Sequence, residues 1–169
     1  MGRLDGIPCH CRKTDYRVAA LPMRSIVHKV HRFGVLPTLR RNRFLAALWS
    51  LTFATVLLRS IGYQRSRALL TRRFHGPRRD LKISDAAERV EVDAWAVRAA
   101  DEQLPWGSCL PRSLTLWWLL SRRGIDTEIH FGVRKSEDDL AAHAWVVWGD
   151  QALTDSVDPR AHYTLLKGG

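Results

Sequence analysis

Residues 108–120 read SCLPRSLTLWWLL. A cysteine follows a serine at the edge of an apolar run, and a proline comes two residues later. Leu110, Leu114, Trp117, Trp118 and Leu120 spread apolar surface over a wide face, which predicts a central helix rather than a surface one. The helix starts at Ser108 or Cys109 and runs to Arg123, with Gly124 as its stop. Pro111 does not break it, because a first-turn amide has no intrahelical acceptor to lose. Cys109 therefore stands where the amide hydrogens and the positive end of the helix dipole gather. A thiol in that field ionises more readily, and the same amides suit a tetrahedral oxyanion.

Outward from this helix the periodicity changes twice. Upstream, SDAAERVEVDAWAVRAADEQ (84–103) carries Val90, Ala94 and Val97 at helical spacing and ends before Leu104-Pro105-Trp106-Gly107. Downstream, Ile125, Thr127, Ile129, Phe131 and Val133 alternate with polar or small residues, the period of a half-buried strand. KSEDD (135–139) reads as a charged turn, AHAWVVW (142–148) as a second strand, Gly149-Asp150 as a turn, and ALTD (152–155) as a third strand. Helices followed by an antiparallel meander give an α+β domain, placed at residues 77–169.

A cysteine nucleophile needs an imidazole, and the imidazole needs an acid to orient it. His143 lies between small alanines on the second strand and is preferred to His130, which lies among charged positions. Asp155 follows across the hairpin, with Asp158 as a fallback. Register supplies a test. A two-residue Gly149-Asp150 turn pairs Trp148 with Gln151 and sets Asp155 opposite Ala144, on the wrong face for His143. A site built on Cys109, His143 and Asp155 therefore predicts a longer loop or a bulge. Gln103, six residues before the cysteine, is a candidate second oxyanion donor beside the Cys109 amide; a solvated glutamine at a helix end is the plainer reading. Trp106 and Trp145 are candidates to line a substrate cleft, or else pack in the core. A lone cysteine is commonly a packing residue, and a lone strand histidine is commonly structural. Only the ordered set, helix-start Cys then strand His then strand Asp, points to nucleophilic catalysis.

The remainder of the chain is unlike this unit. Residues 1–80 hold 17 Lys/Arg against 3 Asp/Glu, whereas residues 81–169 hold 10 against 14. A cationic front favours acidic partners, but its aromatics do not alternate with the basic residues as a single-strand groove requires, so no nucleic acid is expected. Residues 1–40 read as a basic tail and 41–76 as a helical segment ending at Gly76-Pro77. Within it FLAALWSLTFATVLL (44–58) is uncharged and too short for a span of about 20 residues. It is expected to be a buried or partner-facing helix, with a helix lying on the membrane surface as the alternative. Cys9, Cys11 and Cys109 are too few for a disulfide scaffold and fit a reducing, cytoplasmic setting. Cys9-His10-Cys11 lacks the four ligands of structural zinc, so no metal is expected.

The linked stretches CLPRSLTLWWLLSRRGI (109–125), HFGVRK (130–135) and AHAWVVWGDQALTD (142–155) resemble the cysteine peptidase module of lasso-peptide biosynthesis B proteins, in the transglutaminase-like superfamily. The resemblance covers about residues 84–157. It implies a papain/transglutaminase-like fold with the nucleophile at a helix start, and it matches Cys109, His143 and Asp155 to the family's triad. It implies removal of a leader peptide from a ribosomally made precursor, without metal or organic cofactor. The implied partners are that leader peptide and a separate cyclase resembling asparagine synthetase. Fused members carry an N-terminal winged-helix recognition domain; residues 1–80 do not read that way. The split type is therefore implied, with leader recognition on a separate protein. Another transglutaminase-like acyl-transfer enzyme or amidase, or a non-catalytic adaptor of the same fold, are the alternatives.

Overall fold

The computed structural model describes residues 38–74, 83–135, 140–155 and 158–166. Most of the basic tail, including Cys9 and Cys11, lies outside the described residues, as do the Gly76-Pro77 boundary and all of the 135–139 turn but Lys135.

Among the described residues three helices lie ahead of the sheet in sequence: α1 (Thr38–Phe74), α2 (Ile83–Asp101) and α3 (Cys109–Ser121). The strands are β1 (Glu128–Lys135), β2 (Leu140–Trp148), β3 (Gln151–Ala152) and β4 (Thr164–Leu165), with a 3₁₀ turn at Pro159–Ala161. They form one antiparallel sheet in the order β3-β2-β1-β4.

The apolar periodicity of the sequence becomes one core. Ala47, Leu51, Ala54 and Leu70 of α1 pack with Val90, Ala94 and Val97 of α2, Leu114, Leu116 and Leu120 of α3, and Ile129 and Val146 of the sheet. The core thus continues from α1 into the sheet-bearing part of the chain. The uncharged stretch 44–58 is buried on one side only: Trp49 and Val56 stay exposed. α1 is interrupted at Gly62 (φ 75, ψ 173), so its two halves are separate helical runs across a kink.

α3 is the central helix. Eleven of its thirteen residues are buried, which leaves no face for solvent. Its end is a Schellman-type close: the Gly124 amide donates to Ser121 O (3.0 Å) and the Ile125 amide to Leu120 O (3.1 Å). That geometry needs a left-handed residue, and Gly124 supplies it at φ 74. Just beyond, Arg123 pairs with Asp93 of α2 at 2.8 Å. Burial pushes the Asp93 carboxyl up to about 6, against the charges of Arg43 and Arg89.

The β1–β2 register sets Gly132 opposite His143 and His130 opposite Trp145. Successive side chains alternate between faces. Val146 and Trp148 join the helix core, so His143 and Trp145 stand on the other face.

The hairpin overturns one expectation. The Gly149-Asp150 loop is a two-residue turn, with Trp148 paired to Gln151 and Val147 to Ala152. Continued regularly, the ladder would set Asp155 opposite Ala144. It does not continue. The Leu153 amide still donates to Val146 O at 2.9 Å, but the Val146 amide donates to Thr154 Oγ1 at 3.3 Å instead of to the Leu153 carbonyl. A side-chain hydroxyl has replaced a backbone acceptor, and paired strand ends at Ala152. The departure from register lies after the strand, not in its loop.

Candidate active site

Cys109 is the first residue of α3 and is 1% exposed. Ser108 is the N-cap residue, extended at φ −143 and ψ 162, but its hydroxyl makes no capping bond. The Arg112 amide donates to Ser108 O at 3.2 Å and opens the helical ladder. The amides ahead of it in the first turn have no intrahelical acceptor, and Pro111 has no amide hydrogen at all.

One turn along, Ser113 donates to the Ala144 carbonyl at 2.9 Å, a fully buried bond. Ala144 adjoins His143. The helix that carries the thiol is therefore pinned to the strand that carries the imidazole. Ser113 is one of three buried hydroxyl residues in an otherwise largely apolar helix, so the sequence alone does not single out this contact.

His143 is buried, and its Nε2 lies 3.2 Å from Asp155 Oδ2. With the ladder ended at Ala152, the acid reaches the imidazole that regular pairing denied it. Two further bonds fix the carboxylate. Thr154 Oγ1 donates to Oδ2 at 2.9 Å, and Arg112 Nη2 donates to Oδ1 at 3.2 Å. Arg112 in turn is held from the end of α2 by Asp101, with Nη1 3.6 Å from Oδ2. Burial pushes the Asp155 carboxyl up. The hydrogen bond from His143, the charges of Arg112 and His143, and the Thr154 hydroxyl outweigh it and hold the group below its ordinary value.

The imidazole is gripped by rings. Trp145 stacks at 5.8 Å between centroids with 23° between planes, and Tyr163 lies at 5.1 Å and 30°. Arg134 covers Tyr163 at 5.5 Å. Tyr163 arrives on the segment that ends in β4, which pairs with Gly132 and Val133 of β1. Only glycine fits at position 132: a Cβ there would lie 2.8 Å from Tyr163 Cβ and 2.9 Å from Trp145 Cη2.

The other candidates divide. Trp145 is 0% exposed, so it does not line an open cleft; the correction follows from its ring being packed behind His143. Trp106 is 45% exposed in the loop ahead of Cys109. Gln103 is exposed in the turn after α2, with its amide bonded to Ala100 O at 3.1 Å. His130 pairs with Glu128 at 3.1 Å. Asp158 is exposed, caps the 3₁₀ turn and binds Arg160 at 2.8 Å, so the fallback acid is engaged elsewhere. Arg112, Ser113, Thr154 and Tyr163 escaped the sequence reading. For Arg112 the signal was a cation within the first turn of an otherwise apolar helix.

A buried thiol at a helix start, an imidazole and a clamped carboxylate are the parts of a cysteine-dependent acyl-transfer site. No curated protein and no solved structure matches the chain. The family model described as "Transglutaminase-like superfamily" matches residues 47–167, a stretch that takes in most of α1, the whole sheet and all three residues of the set. Three helices on an antiparallel sheet agree with that match, and the chain belongs to the transglutaminase-like superfamily.

Proposed function

We propose that this chain is a cysteine peptidase that cuts the leader from a ribosomally made lasso-peptide precursor, using Cys109, His143 and Asp155. The observation that carries the reading is the His143–Asp155 contact, made where strand register alone forbids it and reinforced by Arg112 from the thiol's own helix. Asp155 engages Nε2, so Nδ1 is the nitrogen assigned to the thiol. Nδ1 takes the Sγ proton, and the sulfur bonds to the scissile carbonyl carbon. The developing oxyanion is met by amides at the start of α3. The imidazolium then passes its proton to the departing amine as the C–N bond breaks. Water, deprotonated by the same nitrogen, resolves the thioester and returns the thiol. No step calls for a metal or organic cofactor.

The lasso-specific part of the reading rests on the linked motifs CLPRSL, FGV and AHAWV with a later Asp. It implies a separate leader-recognition protein and an asparagine-synthetase-like cyclase as partners. The test is reconstitution of the full chain with a neighbouring precursor and recognition protein, followed by mass spectrometry. A released leader with wild type, and none with Cys109→Ala, is expected. Unchanged release by Cys109→Ala would overturn catalysis by this chain. A product in which an added amine replaces water would move the assignment to transamidation.

A further inference from the structure

α1 has a second face that the site does not use. Ahead of Gly62, Ala47, Leu51 and Ala54 point into the core at 0–1% exposure. Directly opposite, Leu45, Trp49, Phe53 and Val56 are 43%, 76%, 43% and 58% exposed. They recur at spacings of four, four and three residues and so form one stripe along the helix. Phe53 leans on Trp118 of α3 at 5.8 Å, which braces the stripe from the protein side. A single exposed leucine is ordinary; a continuous stripe centred on a tryptophan is not.

The charges on this helix have one sign. Thr38–Phe74 contains eight arginines and no aspartate or glutamate. Arg41 and Arg59 are both exposed. They are 18 residues apart, five full turns, so they occupy the same side of the helix about 27 Å from each other. They bracket the stripe at either end and to one flank. A second copy docked on this face by a two-fold axis would bring arginines against arginines. The complement is an anionic surface that accepts apolar groups between its charges.

Length and burial decide how the helix would meet such a surface. Thr38–Arg72 has a mean hydropathy of 1.7 over its most apolar window, enough for a membrane-crossing helix by composition. A crossing helix, however, presents apolar surface all round, and here one side belongs to the core. The stripe from Leu45 to Val56 rises only about 17 Å, against a hydrocarbon thickness of about 30 Å. That is the arrangement of a helix lying in the interface, with indole at headgroup depth and guanidinium groups reaching phosphates along their apolar stems.

We propose that the part of α1 before Gly62 seats this protein on an anionic lipid surface, with Leu45, Trp49 and Val56 toward the acyl chains and Arg41 and Arg59 on phosphates. The proposal is independent of the reaction assigned to Cys109. It is tested by co-sedimenting the full chain with vesicles of phosphatidylcholine alone or with one third phosphatidylglycerol. Wild type is expected to bind the anionic vesicles at least about tenfold more tightly, with binding weakened by salt. Trp49→Ser/Val56→Ser should lower that binding about tenfold, and Arg41→Gln/Arg59→Gln should lower it on anionic vesicles only. Trp49→Phe should keep binding yet remove the part of tryptophan emission that brominated lipid quenches, a readout that survives if the double variant fails to fold. No binding by wild type would overturn the proposal and leave the face to an acidic protein partner. Binding that the Trp49→Ser/Val56→Ser variant leaves intact, or quenching unchanged in Trp49→Phe, would also overturn it.

Discussion

Two stretches meet at His143, and different forces hold them. α3 and β2 are held by burial: Leu114, Leu116, Leu120, Trp145 and Val146 are essentially without solvent contact. Among its described residues, the segment from Leu153 to Leu166 contains only a two-residue strand and one 3₁₀ turn. It is stitched by polar contacts instead. Thr154 binds the Val146 amide, Arg112 binds Asp155, and Arg160 bridges Asp158 and the Asp150 carbonyl. The thiol and the imidazole ride on the packed part, while the acid rides on the stitched part. Packing is indifferent to pH and salt, and charge pairing is not. The site is therefore expected to lose its acid before it loses its frame.

The largest expected effect lies in the packed part. Leu114→Ala should cost about 3–5 kcal/mol in urea unfolding, since a fully buried leucine leaves a cavity that a central helix cannot close. A loss under about 1 kcal/mol would show that α3 is not the frame.

Asp93 of α2, buried and paired with Arg123 beyond the end of α3, sets the next effect. Its carboxyl is raised from 3.8 to about 6, so its share of stability is full below 3.8 and is lost as pH rises through about 6. A shift of that size corresponds to about 3 kcal/mol. Asp93→Asn should therefore gain on wild type in melting temperature between pH 4 and pH 7. A difference that stays flat across that range would mean the Arg123 pair offsets the burial.

Arg112→Met should cost about 1.5–3 kcal/mol near neutral pH, because Asp101 and Asp155 lose a shared charged donor. That cost should shrink in acid as Asp155 becomes protonated; the Leu114→Ala cost should not. Equal pH dependence for the two variants would erase the distinction between the regions.

Asp155 itself titrates in the opposite sense to Asp93. Its folded value lies below 3.8, so its contribution is present above 3.8 and disappears as pH falls through the folded value. The wild-type advantage over Asp155→Asn should accordingly close in the acid range. In the reconstituted assay at neutral pH, Asp155→Asn should slow cleavage by about 10²–10⁴ while leaving the far-ultraviolet circular dichroism unchanged.

The smallest effect is the one closest to the register. Thr154→Val removes one buried acceptor for the Val146 amide and one donor to Asp155, about 1 kcal/mol. Activity should fall more than stability, because the ladder can then run on toward Ala144. Equal losses in both would mean the departure after Ala152 is set by something other than this hydroxyl.

The same division explains what could be read in advance. α3 and the two long strands announce themselves by apolar periods of 3.6 and 2, since burial writes a regular pattern. Cys109 and His143 sit on those elements, so their positions in the fold are legible. For Asp155 the sequence poses a register conflict with His143 and looks to a longer loop or a bulge to resolve it. The turn is two residues long; a threonine hydroxyl substituting for a carbonyl breaks the ladder beyond it. No period encodes such a substitution, nor the guanidinium shared by Asp101 and Asp155. Tyr163 was invisible for a related reason: it reaches His143 through a two-residue strand, too short to leave a pattern.

Gly132 turns this architecture into a control knob. Its backbone has an ordinary φ, so nothing about its conformation resists a side chain. The obstacle is the Tyr163 Cβ and the edge of the Trp145 ring, and that ring stacks on the imidazole. A single methyl at this position would tilt the imidazole without altering Cys109, His143 or Asp155 themselves. On the proposed reading, Gly132→Ala would silence cleavage while keeping Cys109, and would suit substrate trapping where Cys109→Ala removes the sulfur.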